Sequence, residues 1–172
     1  RRWEMRVLLR FMDNVVAPSL AMIASNRLAA PRYVGQDPAE LQRKLDRIPL
    51  PERRATWEKL MFQTIPRKEI EESQRRVSDA IRRFDGILAK NEWLAGESFS
   101  LADIGVFATF YALPLSMEDE VNDRATPHLI RWLRACHARP GLQAALAMGK
   151  GFITQRAAEI RERLGVAEAA GA

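Results

Sequence analysis

Apolar residues recur three, four or seven positions apart along most of the chain, and this spacing restricts it to packed helices. One stripe runs from Trp3 to Met22, and another runs from Ile70 to Leu88. Residues with these spacings lie on one face of an α-helix, so each stripe can be buried against a neighbouring element. No segment alternates apolar and polar residues convincingly, as a half-buried strand would. The sequence therefore predicts an all-α fold built as a helical bundle.

The size and charge of the chain indicate a single globular domain. The 172 residues are 47% hydrophobic and 28% charged, which is typical of one soluble domain with one core. We predict that the domain covers residues 1–165 and that residues 166–172 form a frayed tail. The 27 basic and 22 acidic residues are interleaved, so the net charge of +5 predicts solvated helix faces rather than a nucleic-acid surface.

The cysteine content and the ends of the chain suggest where such a protein works. Cys136 is the sole cysteine, which rules out an intrachain disulfide and favours a reducing compartment. We find no uninterrupted apolar run of the roughly 18 residues that a membrane helix needs, so we expect no membrane contact. The chain opens on "RRWEMRVLLR", already in helical register and without an initiator methionine. We therefore expect an upstream portion of the parent protein to be missing.

The stretch "SFSLADIG" predicts how the most apolar helix begins. With Ser100 as N-cap, its hydroxyl can accept a hydrogen bond from the Asp103 backbone while the Asp103 carboxylate accepts from the Ser100 backbone, a capping box. Phe99 and Ile104 have the spacing of a hydrophobic staple. The following run, residues 101–113, is apolar all round, so we expect it inside the bundle, where unpaired N–H groups would be costly.

The residue types that carry chemistry offer few candidates. His128 and His137 are far apart and have no partners at metal-ligand spacing, so the sequence predicts no metal site. Cys136 fits an apolar stripe, which predicts a buried and unreactive thiol. Ser100 and Asp103 could in principle act as nucleophile and carboxylate. No histidine lies near them in sequence to mediate, so the capping interpretation is favoured.

Taken together, these motifs resemble a known family. The loop "WLAGESFSLADI", the apolar helix and the segment "TPHLIRWLRACHARPGLQAAL" resemble the all-helical C-terminal domain of cytosolic glutathione transferases. The capping box with its staple is similar to that family's folding signature, and so is the spacing of Pro127, Trp132 and Pro140. Two further segments, "EMRVLLRFMD" and "IPLPERRATWEKL", resemble the bacterial β-etherase branch, which cleaves aryl ethers of lignin fragments with glutathione.

The resemblance implies a division of labour between two domains. A complete glutathione transferase also has a thioredoxin-like N-terminal domain, which activates glutathione and makes most of its contacts, and this domain is absent from the chain. We therefore expect no catalytic residue here, glutathione as co-substrate bound mainly elsewhere, and a cytoplasmic homodimer. By position in the family, the aromatic substrate would contact five residues of this chain: Asn14, Ala17, Pro18, Ala21 and Tyr111.

Two other functions stay open on the sequence alone. The same kind of domain also serves as a non-catalytic protein-interaction module, and an activating serine or cysteine upstream would favour the enzyme instead. A basic all-helical nucleic-acid binder is the second alternative, and a steep dependence of DNA binding on salt would reveal it.

Overall fold

The computed structural model describes residues 2–167, apart from the side chain of Phe152. Within this range the regular secondary structure is helical, with a single β-bridge between Trp93 and Gly96. The predicted all-α fold is thereby confirmed. Of the predicted frayed tail, residues 168–172 lie outside the described range.

The helices follow one another with short connections. They are α1 (Arg2–Phe11), α2 (Ala17–Ala24), α3 (Pro38–Asp46), α4 (Pro51–Met61), α5 (Arg67–Leu88), α6 (Leu101–Phe110), α7 (Leu113–Ser116), α8 (Pro127–His137), α9 (Pro140–Met148), α10 (Phe152–Gln155) and α11 (Ala157–Leu164). The π-helical turns Met12–Val16 and Ser25–Ala29 and the 3-10 turn Ala30–Tyr33 make one continuous helical segment, Arg2–Tyr33.

The first helical segment accommodates an internal proline. Pro18 has no backbone N–H, and its ring would crowd the carbonyl four residues earlier in a regular helix. The π-helical turn Met12–Val16 ends two residues before it and widens the backbone there. The Ser19 hydroxyl donates to the Val15 carbonyl at 2.7 Å, so this backbone acceptor within the turn has a hydrogen-bond partner.

The chain divides into two compact units, of which the smaller is Val15–Val77. Its core brings α3 and α4 together around Leu41, Leu45 and Met61, with Tyr33, Ile48 and Trp57 packed against them. The Asp37 carboxylate accepts from the Ala39 backbone and caps the start of α3. This unit therefore has its own small apolar centre.

The larger unit, Arg1–Asn14 with Ser78–Ala172, has an aromatic core. Phe84 of α5 lies edge-on to Phe110 of α6, with ring centroids 5.3 Å apart. Phe107 contacts Tyr111 and Trp132, with centroids 5.0 and 6.4 Å away. Helix α6 thus reaches α5 and α8 through rings that are almost completely buried.

Helices α1 and α6 approach each other closely at a glycine. A Cβ atom added at Gly105 would lie 2.8 Å from Cδ2 of Leu9. That distance is shorter than real carbon–carbon contacts, so a side chain at position 105 would require the end of the Leu9 side chain to move. Gly86, also helical, has open space at the same position.

Helices α5 and α8 cap each other. The Asp85 carboxylate on α5 accepts from the His128 and Leu129 backbones at the start of α8, both at 2.9 Å. Arg131 on α8 donates to the carbonyl of Leu88 at the end of α5, at 2.8 Å, and to that of Asn91 in the loop after it, at 3.0 Å. These bonds satisfy helix-end groups that the helices cannot satisfy internally.

Two expectations for the apolar run are corrected. Its helix ends at Phe110, and Leu113–Ser116 turn into the separate short helix α7. The run is also not surrounded on all sides, because the exposed fractions of Leu101 and Ile104 are 61% and 41%. The apolar pattern correctly predicted a helix. The described residues do not bury Leu101 and Ile104 in its N-terminal part.

Candidate functional site

The start of α6 is organised around one buried carboxylate. Asp103 is 0% exposed. Its Oδ1 accepts from the Leu94 backbone and from Nε1 of Trp132, both at 2.9 Å. Its Oδ2 accepts from the Ser100 backbone and hydroxyl, both at 2.8 Å. Four donors and the positive end of the helix dipole compensate the negative charge in this buried position.

The capping box predicted from the sequence is present, with Ser100 as N-cap in an extended conformation. The Ser100 hydroxyl also accepts from the Ala102 backbone at 3.2 Å. Sequence reasoning missed the two other partners of Asp103. The box joins residues only three positions apart, whereas Trp132 is 29 residues away and reaches Asp103 only through the tertiary fold.

The ring of Phe99, the residue before the N-cap, contacts Trp93 and Arg139. It lies edge-on to Trp93, with centroids 5.1 Å apart, and the Arg139 guanidinium sits 3.8 Å above its centre. Arg139 is held by a cation–π contact there. The predicted staple between Phe99 and Ile104 stays a prediction.

An open apolar cavity of about 570 Å³ lies against the exposed side of α6. Ile104, Phe107 and Tyr111 form its α6 wall, and Leu142 and Leu146 of α9 face them. None of the described residues that line it is charged. Cavities of this size and composition commonly take an apolar group. The sequence reading did not assign α9 to a site, although its apolar composition was the available signal.

Tyr111 is the one predicted substrate contact that lines this cavity. The residue is 1% exposed, and its hydroxyl is 3.2 Å from Nδ1 of His137. The two rings are stacked with an interplanar angle of 6°. Burial raises the pKa of the Tyr111 hydroxyl above its ordinary value, although the Arg161 charge opposes this effect. Tyr111 therefore offers its ring to the cavity as a neutral phenol.

His137 should make the fold sensitive to acid. Burial lowers the pKa of this imidazole, an effect that the Ala167 backbone opposes and the Arg161 charge reinforces. Below about pH 6.5 the unfolded chain binds a proton that the folded chain resists. This group should therefore not affect stability above that pH. As the pH falls toward the lowered folded pKa, it should remove at most about 1.4 kcal/mol per pH unit.

Urea unfolding at pH 7.5 and 5.5 measures this effect. The wild type should lose more unfolding free energy over this interval than His137→Gln, which has no titrating imidazole at this position. Parallel losses in the two proteins would contradict the assignment.

The other predicted substrate contacts lie on the first helical segment. Asn14 is exposed in the π-helical turn and belongs to the larger unit. Ala17, Pro18 and Ala21 belong to the smaller unit, where Pro18 and Ala21 are exposed and Ala17 is half-buried. The side chains of these three residues carry no hydrogen-bonding group, so they could offer a ligand only apolar contacts.

The same segment bears on the expected absence of membrane contact. Arg2–Tyr33 contains an 18-residue window that is long and apolar enough to cross a membrane, and 22% of that window is buried. Isolated polar residues such as Asp13 interrupt this segment, so it contains no uninterrupted apolar run of the length that a membrane helix needs. Buried helices of globular proteins and N-terminal signal sequences share this length and composition.

Reactive groups are scarce among residues 2–167. Burial raises the pKa of the Cys136 thiol far above its ordinary value, and the nearby Asp103 carboxylate adds to the shift. The thiol is thus kept protonated, as the apolar stripe predicted. In the described part of the chain no group of three or more His, Cys, Asp or Glu side chains could hold a metal ion.

Comparisons with known proteins point in one direction. The sequence profile of the family described as "Glutathione S-transferase, C-terminal domain" matches residues 23–140. "Protein LigF" of Sphingobium sp. (strain NBRC 103272 / SYK-6) is 27% identical over 156 residues, which are 87% of this chain and 60% of that protein. The solved structure described as "Crystal Structure of Beta-etherase LigF from Sphingobium sp. strain SYK-6" superposes with a TM-score of 0.79 at 26% identity. The superposition covers 86% of this chain and 62% of that one. The chain thus spans about three fifths of the length of these relatives.

Proposed function

Because the chain belongs to the family of glutathione S-transferase C-terminal domains, we propose that it is the helical substrate-pocket and dimerisation domain of a glutathione transferase. The observation that carries this proposal is the family match over residues 23–140. In the whole protein the domain would be joined to a thioredoxin-like N-terminal domain, work in the cytoplasm and form a homodimer. The similarity to a β-etherase supports an aromatic ether as the substrate.

The proposed reaction is a substitution by the glutathione thiolate. Its sulfur forms a bond to the electrophilic carbon while the bond from that carbon to the aryl ether oxygen breaks. The leaving aryloxide takes the electron pair and then a proton. Among the described residues Cys136, the sole thiol of the chain, is buried and held protonated. This chain would therefore contribute to binding and orientation, and activation of glutathione would come from the N-terminal domain.

Residues of the first helical segment would contact the aromatic part of the substrate. Ala17, Pro18 and Ala21 have apolar side chains that suit an aromatic ring and do not suit the carboxylates and amino group of glutathione. Asn14, exposed next to them in sequence, would supply the polar contact. Tyr111 would contribute its ring, because its hydroxyl is already bonded to His137. Such contacts would exclude water and help to hold the reacting carbon near the sulfur.

The test compares this 172-residue chain with the longer two-domain protein that the proposal implies, in which a thioredoxin-like N-terminal domain precedes these residues. Each is incubated with glutathione and either a chloro-nitrobenzene or a β-aryl ether dimer, and the products are quantified. The longer protein should release the phenol of the ether and form the thioether, and omission of glutathione should abolish both. The chain alone should not exceed the buffer rate, because the thiol-activating residues would be missing.

Two results would contradict the proposal. Turnover by the 172-residue chain would place the reacting groups within these residues. A longer protein that folds but transfers glutathione to neither substrate would instead favour the non-catalytic interaction module.

A further inference from the structure

His137, at the end of α8, forms a buried pair with Tyr111. The exposed fractions of the two residues are 5% and 1%. Their rings are stacked with centroids 5.7 Å apart, and the Tyr111 hydroxyl lies 3.2 Å from Nδ1 of His137. In a neutral imidazole one ring nitrogen is a donor and the other an acceptor. The bond to Tyr111 uses one of these roles and leaves the other to Nε2.

Nε2, the second ring nitrogen of His137, has no hydrogen-bond partner among residues 2–167. The Ala167 backbone favours the charged form of the ring, but it does not reach Nε2 with the geometry of a hydrogen bond. A neutral ring thus leaves one polar atom unsatisfied. A protonated ring would leave a charged N–H group in the same position, which is more costly in a buried environment. The closed structure therefore accommodates a neutral His137 much better than a charged one.

The ionisable groups around the pair offer an added proton no negative charge. Burial is the main reason why the pKa of His137 is lowered, and the charge of Arg161 on α11 lowers it further. The same charge acts on Tyr111, so α11 lies beside both members of the pair. From α6 the ring meets the neutral phenol of Tyr111, and Cys136, the preceding residue on α8, keeps its thiol protonated. Helices α7 and α9 contain no ionisable side chain.

Helix α11 is attached to the larger unit by few contacts. Its eight residues bury two apolar side chains, Ile160 and Leu164. Nε of Arg134 on α8 donates to the Leu164 carbonyl at 2.6 Å, and Arg163 pairs with Glu118 at 2.7 Å. A helix this short is marginal in water without its tertiary contacts. It is therefore an element that can open while the rest of the unit stays folded.

We propose that His137 is a pH-sensitive latch, whose protonation releases α11 from α8 and lets water reach Nε2. The added proton also acts on Tyr111. A protonated Nδ1 can only donate, so the Tyr111 hydroxyl can then only accept from it. Tyr111 lines the apolar cavity beside α6, and acid would therefore change one wall of that cavity. The inference concerns the 172-residue chain itself and does not depend on the transferase assignment.

The latch should hold above about pH 6.5 and loosen below it. A ring exposed by opening has an ordinary pKa near 6.5, whereas the pKa of the buried ring is lower. Below that pH the open form binds a proton that the closed form resists, so the equilibrium shifts toward opening. Between pH 7.5 and 5.5 the opening constant of α11 should rise by up to about tenfold.

Hydrogen exchange of the 172-residue chain tests the latch, with protection factors that correct for the effect of pH on the intrinsic rate. At pH 7.5 the amides of α11 should be less protected than those of α6, because α11 opens locally. Their protection should fall by up to about tenfold at pH 5.5. In His137→Gln it should be nearly equal at the two pH values. His128→Gln removes the other histidine of the chain, on the same helix, and should behave like the wild type.

A second pair of variants tests the latch if His137→Gln does not fold. Arg161→Gln keeps the histidine and removes a positive charge that disfavours its protonation, so the pH dependence of α11 exchange should be weaker than in the wild type. Arg163→Gln breaks the pair with Glu118 on the same helix. It should lower the protection of α11 by the same factor at both pH values, since that pair does not involve His137.

Three results would overturn the inference. Equal protection of α6 and α11 would show that α11 opens only when the whole unit unfolds. Wild-type protection of α11 that is unchanged between pH 7.5 and 5.5 would show that His137 does not control it. A pH dependence that persists undiminished in both His137→Gln and Arg161→Gln would assign the effect to another group.

Discussion

Replacing Asp103 by alanine is expected to lower the free energy of unfolding by about 3–5 kcal/mol. The substitution leaves the backbone N–H of Leu94 and Nε1 of Trp132 without their acceptor. Both residues are buried, and each unpaired donor costs about 1–3 kcal/mol. Loss of the N-cap interaction with Ser100 adds about 1 kcal/mol. Such a loss is a large share of the stability of an ordinary domain.

Ser100→Ala is the matched control for this prediction. It removes the hydroxyl of the same box and leaves the Leu94 and Trp132 bonds intact, so it should cost only about 0.5–2 kcal/mol. The two substitutions share a hydrogen bond, and the double variant should lose less than the sum of the single ones. Urea unfolding of the wild type and the three variants measures all of these values. An Asp103→Ala protein that is no less stable than Ser100→Ala would show that the carboxylate acts as a local cap alone.

Gly105→Val is expected to cost about 1–3 kcal/mol through the contact between α1 and α6. The added Cβ would lie 2.8 Å from Leu9, so either that side chain changes rotamer or the helices separate. Gly86→Val introduces the same side chain into α5, where nothing lies within 4 Å of the new Cβ. This control should be within about 0.5 kcal/mol of the wild type, or slightly more stable because glycine is a poor helix former.

Thermal or urea unfolding measures the stability of both variants. Comparing them separates the effect of the contact between α1 and α6 from the effect of helix propensity. Propensity favours valine in both positions, so only the tertiary contact should separate them. Equal stabilities for Gly105→Val and Gly86→Val would mean that Leu9 moves aside at no cost and that the helices are not held at this distance.

Local motifs could be predicted because their parts are close in sequence. The box of Ser100 and Asp103 needs residues only three positions apart, and the structure forms it. The further bonds of Asp103 could not be predicted, because the nearer partner is 9 residues away and the other 29. Which chain segments meet at a buried side chain is decided by the packing of whole helices.

Composition predicted which segments are helical more reliably than it predicted which helix faces are buried. The run after Ser100 is apolar on all sides, and the expectation of full burial was wrong for Leu101 and Ile104. Apolarity indicates that a surface prefers to leave water, but it does not identify the chain that covers it. The candidate contacts Asn14, Ala17, Pro18 and Ala21 depended on the resemblance to a family, since small residues on a helix carry no chemical signal of their own. They stay a prediction.

The reciprocal caps between α5 and α8 bear on how the protein opens in solution. Helix ends usually fray one at a time, because each terminal turn has few partners. Here the start of α8 is held by Asp85 of α5, and the end of α5 is held by Arg131 of α8. Fraying at either end breaks bonds that the other helix also requires. Asp85 and His128 are 43 positions apart in the chain. We therefore expect the two helix ends to open together, in a rarer and concerted event, rather than to fray separately.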